Sequence, residues 1–313
     1  ADGFCAWAPM FHMASADHLL ATLMSGGPVI VVDGMQPGAI AEAAARFPLG
    51  WLVLMPGAIA PMIAELAARP IAPVGIRAIG AMADLVPAHE LAEITRLLRA
   101  PYLNSFGATE TGLPPASAAL IPPGTVPRSL SKRQSALCAL RLLDEEGNEV
   151  ADGQTGEMAI RGPTVFSGYW NAEETNRRDF ADGYFRMGDL FRRNPEGDFD
   201  FVDSAKYMIK SGGENIYPAE IERVLLADPR IAEAVVVRRR DPRWGEIPRA
   251  FVVRRDPSLT AADIESLCRA RLAGYKRPRD VVFVAMESLP RSTTGKIQRH
   301  ELERSEPPDG SVQ

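Results

Sequence analysis

The clearest fold signal in the chain is WLVLMPGAIAPMIAELAARPIAPVGIRAIG, residues 51–80. It opens with the apolar run WLVL (51–54), continues with a helix-like segment, AIAPMIAELAA (58–68), and ends in a second apolar run, IRAIG (76–80). Short apolar runs separated by a helix are typical of βαβ units, whose parallel strands are buried on both faces. This stretch therefore predicts a layered α/β fold with a largely parallel sheet.

The same alternation extends in both directions from this stretch. Strands are predicted in PVIVV (28–32) and PYLNSF (101–106), and helices in GAIAEAAARF (38–47) and AHELAEITRLLRA (88–100). Ligands of such sheets bind at the carboxyl ends of the strands, in the loops that follow them. The loop SFGATETG (105–112) is one of these loops, so it is a candidate binding loop.

The pattern changes after about residue 115, where helical periodicity gives way to short runs and turn residues. Strands are predicted in ALRLLDEEGNEV (139–150), GEMAIRG (156–162), GYW (168–170) and GDFDFVD (197–203). Many short strands joined by turns indicate an antiparallel arrangement, such as a small barrel. We therefore predict a β-rich subdomain between the α/β layers and the rest of the chain.

A third pattern begins near residue 206. A strand leads into SGGENIYP (211–218), and a helix follows with Pro218 at its first position and Ile221, Val224 and Leu225 on one face. A later helix is predicted to begin at Thr260, capped by Asp263, and to end at Gly274, before a last strand, VVFV (281–284). The predicted organisation is a partial α/β subdomain at 1–115, a β-rich subdomain at 116–203, a mobile α+β C-terminal domain at 204–303 and a disordered tail at 304–313.

Composition excludes several classes of protein. The 313 residues include 35 Lys and Arg against 40 Asp and Glu, a net charge of −5, which disfavours sequence-independent binding of nucleic acid. Three scattered cysteines without a C-x-x-C pair indicate a reducing compartment, here the cytoplasm, and no structural zinc. The longest uncharged run, 47–64, contains three prolines and two glycines, so it is not read as a membrane span, and no signal peptide is recognised.

Four glycine-associated polar clusters are candidates for catalytic or ligand-binding residues: SFGATETG (105–112), YFRMGDL (184–190), SGGENIYPAEIE (211–222) and RSTTGKIQR (291–299). The last one superficially resembles a phosphate-binding P-loop. However, Pro290 stands where the P-loop needs its first glycine, and Ile297 stands where it needs Ser or Thr. Each cluster alone is a weak signal, because glycine-rich turns after strands are usually only turns, whereas the order of all four is specific.

In that order, the four clusters resemble those of the AMP-forming acyl-CoA synthetases, members of the adenylate-forming superfamily. The resemblance covers about residues 6–302 and corresponds to the carboxyl-terminal two-thirds of such an enzyme. It implies a two-step reaction with ATP, Mg²⁺ and coenzyme A. A carboxylate first attacks the α-phosphate to give acyl-AMP and pyrophosphate. The small domain then rotates, and the thiol of coenzyme A displaces AMP. The oligomeric state stays open, with a homodimer as one option.

The resemblance assigns the ATP site to the first cluster. Asn104 and Phe106 would border the adenine beside Gly107, Thr109 would hydrogen-bond to the α-phosphate, and Glu110 would hold Mg²⁺, which prefers oxygen ligands. Structural alternatives exist for two of them. Phe106 could be a core residue at a strand end, and Glu110 could be a solvated carboxylate.

The other three clusters receive roles in the same way. Asp189 would accept both ribose hydroxyls, because a carboxylate has two acceptor oxygens. Lys296 matches the catalytic lysine that stabilises the transition state of adenylate formation, Lys206 the interdomain hinge, and Gly212 and Gly213 the pantetheine passage. The alternatives are a plain Gly-Asp turn for Asp189 and a solvated surface lysine for Lys296.

The pocket for the acid is only partly visible. His12 matches a histidine at the acyl pocket and thiol tunnel, although a histidine satisfied in the core is the alternative. Gly80 and Ala81 would form small apolar walls, which favour a medium aliphatic or simple aromatic monocarboxylate. The arginine-rich stretch 238–255 is interpreted mostly as a solvated face, with coenzyme A phosphates as the alternative partner.

The chain also departs from the family pattern. Met187 replaces a threonine, Ser204 replaces an arginine that contacts the nucleotide, and Tyr207 replaces an aspartate. Loss of the arginine predicts nucleotide binding weaker by roughly ten- to a hundredfold. The family's loop for the β- and γ-phosphates is not found upstream, so the chain is expected to be part of a longer protein or else a degenerate relative.

Two other functions stay open at this point. The acyl group could pass to the phosphopantetheine of a carrier protein instead of to coenzyme A. From a different class, the chain could be a non-catalytic nucleotide-binding protein, since Ser204, Tyr207 and the missing loop all weaken the case for turnover.

Overall fold

The computed structural model describes residues 1–292 and 295–305, and these residues form two compact units. The first unit contains Ala1–Met187 and Arg192–Phe201, and the second contains Gly188–Phe191 and the chain from Val202 onward. No helix of the described ranges is long and apolar enough to cross a membrane. The predicted boundaries after residues 115 and 203, and the mobility of the C-terminal domain, stay predictions.

The first unit is built on a five-stranded parallel sheet, as the alternating pattern predicts. Its strands, in the order β2-β1-β3-β4-β5, are β1 (Gly3–Ala6), β2 (Val29–Val31), β3 (Leu49–Val53), β4 (Ile76–Gly80) and β5 (Tyr102–Leu103). Its helices are α1 (Met13–Met24), α2 (Pro37–Arg46), α3 (Pro56–Ala68) and α4 (Ala88–Leu98). Leu52 on β3 pairs with Ile79 on β4, and both are fully buried together with Ile59 of α3. The α/β layers of the fold class are thereby confirmed.

One predicted strand, PYLNSF, is divided in the structure. Its first half is β5 of the parallel sheet, and its second half is β6 (Ser105–Phe106), which belongs to a three-stranded antiparallel sheet with β7 (Ala116–Ser117) and β8 (Arg133–Gln134). Asn104 lies between the two halves and is fully buried. The periodicity could not predict this division, because apolar residues occupy both sides of it.

A second five-stranded sheet forms the β-rich region. Its strands are β9 (Ala139–Leu143), β10 (Thr155–Arg161), β11 (Phe180–Ala181), β12 (Tyr184–Arg193) and β13 (Phe199–Ser204), in the order β11-β12-β10-β9 with β13 beside β12. Strand β9 pairs antiparallel with β10, and β11 with β12. The prediction of a strand in GYW is wrong: residues 168–170 lie in the loop that precedes helix α5 (Glu173–Asp179).

The second unit has the predicted α+β composition. Its strands are β14 (Ile209–Ser211), β15 (Glu214–Ile216), β16 (Ile231–Asp241), β17 (Gly245–Arg254) and β18 (Asp280–Phe283), and its helices are α6 (Pro218–Leu226), α7 (Ala261–Arg271) and α8 (Arg299–Arg304). Pro218 begins α6, and the Thr260–Asp263 capping box begins α7, both as predicted. Helix α7 ends at Arg271, so the predicted end at Gly274 is wrong. Of the predicted tail, Arg304 closes α8, and 306–313 lie outside the described residues.

Gly212 and Gly213 form the two-residue turn between β14 and β15. Both have positive φ angles, +57° and +89°, as the tight turn of a β-hairpin requires. Gly212 is further restricted, because a Cβ there would lie 2.7 Å from the Trp244 ring, whereas a Cβ on Gly213 would meet nothing. The turn therefore needs glycine at its first position for two separate reasons.

Replacing Gly212 with alanine is expected to lower the free energy of unfolding of the second unit by about 2–3 kcal/mol, from backbone strain plus the collision with Trp244. The matched Gly213→Ala variant should cost only about 1 kcal/mol, from the backbone alone. Urea unfolding followed by tryptophan fluorescence measures both. Equal losses for the two variants would show that the ring does not restrict the turn.

Candidate active site

The loop after β6 presents Thr109 and Glu110 on a short 3₁₀ turn, Thr109–Thr111. The turn is held from inside by Thr111, whose hydroxyl donates to the carbonyl of Ala108 (2.9 Å) and accepts from the Ala108 N–H (3.2 Å). Thr111 is fully buried, whereas Thr109 is exposed. The loop therefore has a fixed base and leaves the Thr109 hydroxyl accessible to a ligand.

Glu110, the middle residue of this turn, is hydrogen-bonded by residues from a distant segment of the chain. The Tyr169 hydroxyl donates to its Oε1 (2.9 Å), and the Phe166 N–H donates to its backbone carbonyl (2.9 Å). Within the described ranges, no group of three or more His, Cys, Asp or Glu side chains is placed to hold a metal ion. A single carboxylate suits a magnesium ion, which usually takes one or two protein carboxylates and completes its shell with waters and phosphates.

Asn104 and Phe106 are buried at the base of the same loop. The Asn104 Oδ1 accepts from the Ala83 N–H (2.8 Å), and its Nδ2 donates to Asp84 (3.3 Å) and to the Leu130 carbonyl (3.4 Å). These bonds tie the loop after β4 to the loop after β5. That the two residues border an adenine stays a prediction, since Asn104 has no exposed surface and Phe106 only 2%.

The residues predicted for the acid pocket lie near the ends of α1 and β4. His12 caps α1, since its Nδ1 accepts from the Ala14 N–H (3.1 Å). Gly80 ends β4, where a Cβ would lie 2.2 Å from the Leu103 carbonyl oxygen, so no side chain fits there. The adjacent Ala81 is partly buried. Gly80 is thus required by strand packing, and the pocket role of all three residues stays a prediction.

In the second unit, Asp189 lies on β12 beside the segment that begins at Ser204. The Ser204 hydroxyl donates to the Gly188 carbonyl (3.2 Å). Burial raises the pKa of Asp189 to about 6, while the Ser204 side chain and the charges of Lys206 and Lys296 lower it in part. The charges of Lys206 and Lys296 thus act on Asp189, although the three residues come from separate segments of the chain.

This raised pKa predicts a pH dependence of stability. Below about pH 3 the Asp189 carboxyl is protonated in both the folded and the unfolded state, so it makes no pH-dependent contribution to stability. As the pH rises from about 4 to about 6, the unfolded state loses the proton first, and the free energy of unfolding decreases by roughly 2 kcal/mol. Asp203, whose burial also raises its pKa to about 6, adds to the same slope.

The Asp189→Asn variant is expected to have a shallower decrease over this pH range and to be more stable than the wild type at pH 7. Denaturant unfolding at a series of pH values measures the slope, and Asp241→Asn is the control, because backbone hydrogen bonds lower the pKa of that exposed carboxyl. An unchanged slope in Asp189→Asn would contradict the assignment.

Lys296 is exposed on a narrow loop. The loop is closed by an antiparallel bridge between Arg291 and Ile297, and the Ser292 N–H donates to the Lys296 carbonyl (2.8 Å). Residues 293 and 294 of the RSTTGKIQR cluster lie outside the described residues. Lys206 is also exposed, and its ammonium lies 4.7 Å from the centre of the Tyr207 ring. Both lysines can therefore reach a ligand without leaving a buried partner.

Tyr207 packs against a buried ion pair between Arg299 and Glu222. The Arg299 guanidinium lies 4.9 Å from the centre of the Tyr207 ring and pairs with both oxygens of Glu222, one at 2.8 Å. Arg299 also donates to the Val236 carbonyl (2.6 Å), and the Val236 N–H donates to Glu222 (2.7 Å). A tyrosine in place of the family's aspartate thus packs beneath an arginine instead of adding a third carboxylate.

A model of the AMP-binding enzyme family matches residues 1–170, and a model of the AMP-binding enzyme C-terminal domain matches residues 220–296. The chain belongs to the AMP-binding enzyme family. The resemblance found in the four sequence clusters is thereby confirmed.

Individual relatives agree with this assignment. The chain is 34% identical over 299 residues to the indoleacetate–CoA ligase of Aromatoleum aromaticum, covering 94% of this chain and 57% of that enzyme. It resembles o-succinylbenzoate CoA synthetase from Bacillus subtilis in complex with its acyl-adenylate intermediate (TM-score 0.81, 29% identity, 98% of this chain, 61% of that one). The same synthetase in complex with ATP and magnesium matches with a TM-score of 0.80, 29% identity, and 96% and 61% coverage. The chain spans about three fifths of the length of these relatives.

The sequence did not predict the buried ion pairs of this member of the AMP-binding enzyme family, Arg299–Glu222 and Lys132–Asp84. Lys132 has no exposed surface, and its ammonium lies 2.6 Å from both carboxylate oxygens of Asp84. Asp84 could have been noticed, because it follows a parallel strand of the sheet. Lys132 could not, since it stands in the polar run SLSKRQ, which is typical of an exposed loop.

Three arginines of the stretch 238–255 pair with carboxylates of the second unit. Arg239 and Arg249 both donate to Asp280, and Arg238 pairs with Glu303 (2.9 Å). These partners make the three arginines structural. The prediction of a mostly solvated face is wrong for residues 247–253, which are buried on β17, and Arg249 is only 7% exposed. Contact with coenzyme A phosphates stays a prediction for the remaining arginines.

Proposed function

We propose that the full-length protein is an AMP-forming ligase that joins a carboxylic acid to coenzyme A. The observation that supports it most directly is the placement of Asp189, half-buried on β12 beside Ser204, where the charges of Lys206 and Lys296 lower its pKa in part. This arrangement suits a nucleotide, because the carboxylate can accept hydrogen bonds from the ribose hydroxyls and the lysines can bind the negatively charged α-phosphate. The names of the relatives, indoleacetate–CoA ligase and o-succinylbenzoate CoA synthetase, support the same reaction class.

In the first step of this proposal, the acid's carboxylate attacks the α-phosphorus of ATP, and pyrophosphate leaves with the bonding electrons. Asp189 accepts hydrogen bonds from the ribose hydroxyls, and Thr109 donates to an α-phosphate oxygen. Lys296 stabilises the negative charge that develops in the transition state. Asn104, Phe106 and Gly107 shape the base of the nucleotide loop.

Glu110 would hold Mg²⁺, and the chemistry of its carboxylate fits that ion. When bound, the ion supplies positive charge against the phosphates. The Glu110 side chain accepts a hydrogen bond from the Tyr169 hydroxyl, and its backbone carbonyl accepts one from the Phe166 N–H.

In the second step, the thiol of coenzyme A attacks the acyl carbonyl, and AMP leaves. Lys206 is proposed as the hinge, because it lies on a short 3₁₀ turn, Ala205–Tyr207, at an exposed position. The glycine turn at Gly212 and Gly213 would leave room for the thin pantetheine chain. His12, Gly80 and Ala81 would border the acid.

The acid itself is proposed to be a medium aliphatic or simple aromatic monocarboxylate. ATP–pyrophosphate exchange with a panel of aromatic, arylalkyl, aliphatic, dicarboxylic and amino acids tests this proposal on the full-length protein. Exchange with an aromatic or aliphatic monocarboxylate, followed by thioester formation with coenzyme A, is the expected result. Activation of only dicarboxylates or amino acids would overturn the substrate class.

Two alternatives are separated by the same experiment. Thioester formation on a carrier protein but not on coenzyme A would favour the loading enzyme. Nucleotide binding without exchange for any acid would favour the non-catalytic protein suggested by Ser204 and Tyr207. We also propose a cytoplasmic location, supported by three free cysteines, and leave a homodimer to be tested by light scattering.

A further inference from the structure

The loop between β10 and α5 reaches Glu110 from a distant part of the chain. The Tyr169 hydroxyl donates to Oε1 of Glu110 at 2.9 Å, although the two residues are 59 positions apart. Three residues before Tyr169, the Phe166 N–H donates to the Glu110 carbonyl, also at 2.9 Å. One segment therefore fixes both the backbone and the side chain of Glu110.

The backbone of Tyr169 is itself held at two points by Asn176 of α5. The Asn176 Oδ1 accepts from the Tyr169 N–H (2.7 Å), and its Nδ2 donates to the Tyr169 carbonyl (2.8 Å). Gly168 allows this approach, because a Cβ at that position would lie 3.1 Å from the Asn176 amide. The side chain of Asn176 thus acts as a two-point clamp on the residue that contacts Glu110.

The aromatic ring of Tyr169 is also packed. It meets the Phe166 ring edge to face, with centroids 4.8 Å apart. Phe166 in turn packs against Phe185 (5.0 Å) and Phe180 (5.4 Å). The hydroxyl of Tyr169 consequently has one defined position, set by a packed aromatic cluster and not by the exposed loop alone.

A hydroxyl fixed in this way has a specific effect on a carboxylate. A phenol donates a single hydrogen bond, so it restrains one oxygen of the Glu110 carboxylate while the remaining lone pairs can still bind a cation. Residues that hydrogen-bond to a metal-binding carboxylate and orient it are important for metal binding. Their removal commonly lowers the metal affinity by about 10- to 100-fold. The gain comes from preorganisation, because the side chain no longer loses rotamer freedom on binding.

We infer that Tyr169, clamped by Asn176, is a positioning residue that orients Glu110 for a divalent cation. This inference rests on the proposed function, in which Glu110 holds Mg²⁺. It also gives the GYW segment a role as a supporting loop, where the sequence predicted only a strand.

The test measures binding and not turnover. The affinity of the full-length protein for α,β-methylene-ATP is determined by calorimetry with Mg²⁺ and with excess EDTA, and the ratio of the two dissociation constants is the metal-dependent gain. Tyr169→Phe, which removes only the hydroxyl, is expected to reduce this gain by about tenfold. Glu110→Gln should remove the gain, and the double variant should equal Glu110→Gln, because Tyr169 acts only through Glu110.

Two further variants make the result specific. Tyr275→Phe, at a partly exposed tyrosine of the second unit, is the matched control and should keep the full gain. Asn176→Asp, which cannot donate to the Tyr169 carbonyl, should reduce the gain in the same direction as Tyr169→Phe. It also keeps the inference testable if Tyr169→Phe fails to fold.

Several outcomes would overturn the inference. A full metal-dependent gain in both Tyr169→Phe and Asn176→Asp, with a loss in Glu110→Gln, would exclude positioning and leave the proposed function intact. An additional loss when Tyr169→Phe is combined with Glu110→Gln would show that the hydroxyl acts elsewhere. If the wild type binds the analogue neither with nor without Mg²⁺, the proposed function fails as well.

Discussion

Replacing Lys296 with alanine is expected to slow acyl-adenylate formation by roughly 100- to 1,000-fold, because a positioned charge-stabilising group is worth about 3–4 kcal/mol in a transition state. The residue is exposed on its loop, so the variant should fold normally. ATP–pyrophosphate exchange on the full-length protein measures the effect. Nucleotide binding should change far less than the rate, since the lysine acts mainly on charge that develops during the reaction.

Lys210→Ala provides the matched control, since Lys210 is another exposed lysine of the second unit. It should retain nearly full exchange activity. A second measurement supplies synthetic acyl-adenylate and follows thioester formation, which Lys296→Ala should preserve. A loss of less than about threefold in exchange, or an equal loss in both half-reactions, would contradict the role of Lys296 in the first step.

Replacing Lys132 with methionine is expected to lower the free energy of unfolding of the first unit by about 3–5 kcal/mol, because removing one partner of a buried ion pair leaves the other charge uncompensated. Asp84 has only 8% of its side chain exposed, so water cannot replace the lost ammonium. The loss should be visible as a lower midpoint in urea unfolding.

The neighbouring Arg133→Met variant is the control, because that side chain is 83% exposed. It should change stability by no more than about 0.5 kcal/mol. A double variant, Lys132→Met with Asp84→Leu, should recover much of the loss, since well-packed apolar pairs commonly replace buried ion pairs without cost. Wild-type stability in Lys132→Met alone would show that the pair contributes nothing.

Secondary structure was predictable where it depends on local spacing. The strands and helices of the parallel sheet, Pro218 at the start of α6 and the Thr260–Asp263 box of α7 all follow from residues close together in the chain. Two of the errors occurred where a distant contact overrides local preference. PYLNSF is divided at Asn104, whose amide is satisfied by the loop after β4, and GYW is a loop held by Asn176 and Glu110.

The residues of the candidate site likewise fall into a group that the sequence predicted and a group that it did not. The residues predicted to act on ligands stand within short contiguous motifs, so their order along the chain was enough to indicate the family. The residues that hold these side chains in place do not stand in such motifs. Tyr169, Lys132 and Arg299 are ordinary-looking members of polar or turn-like segments, and no local pattern distinguishes a buried cation from a solvated one.

The fold class and the family therefore follow from the sequence alone, because hydrophobic periodicity and contiguous motifs are properties of neighbouring positions. The three-dimensional fold was needed to show that the charges of Lys206 and Lys296 act on Asp189, that Asp84 neutralises Lys132 and that Tyr169 contacts Glu110. Such contacts join positions far apart in the chain. Packing, the satisfaction of buried hydrogen bonds and the exclusion of water set them, and none of these is encoded in the spacing of residues along the chain.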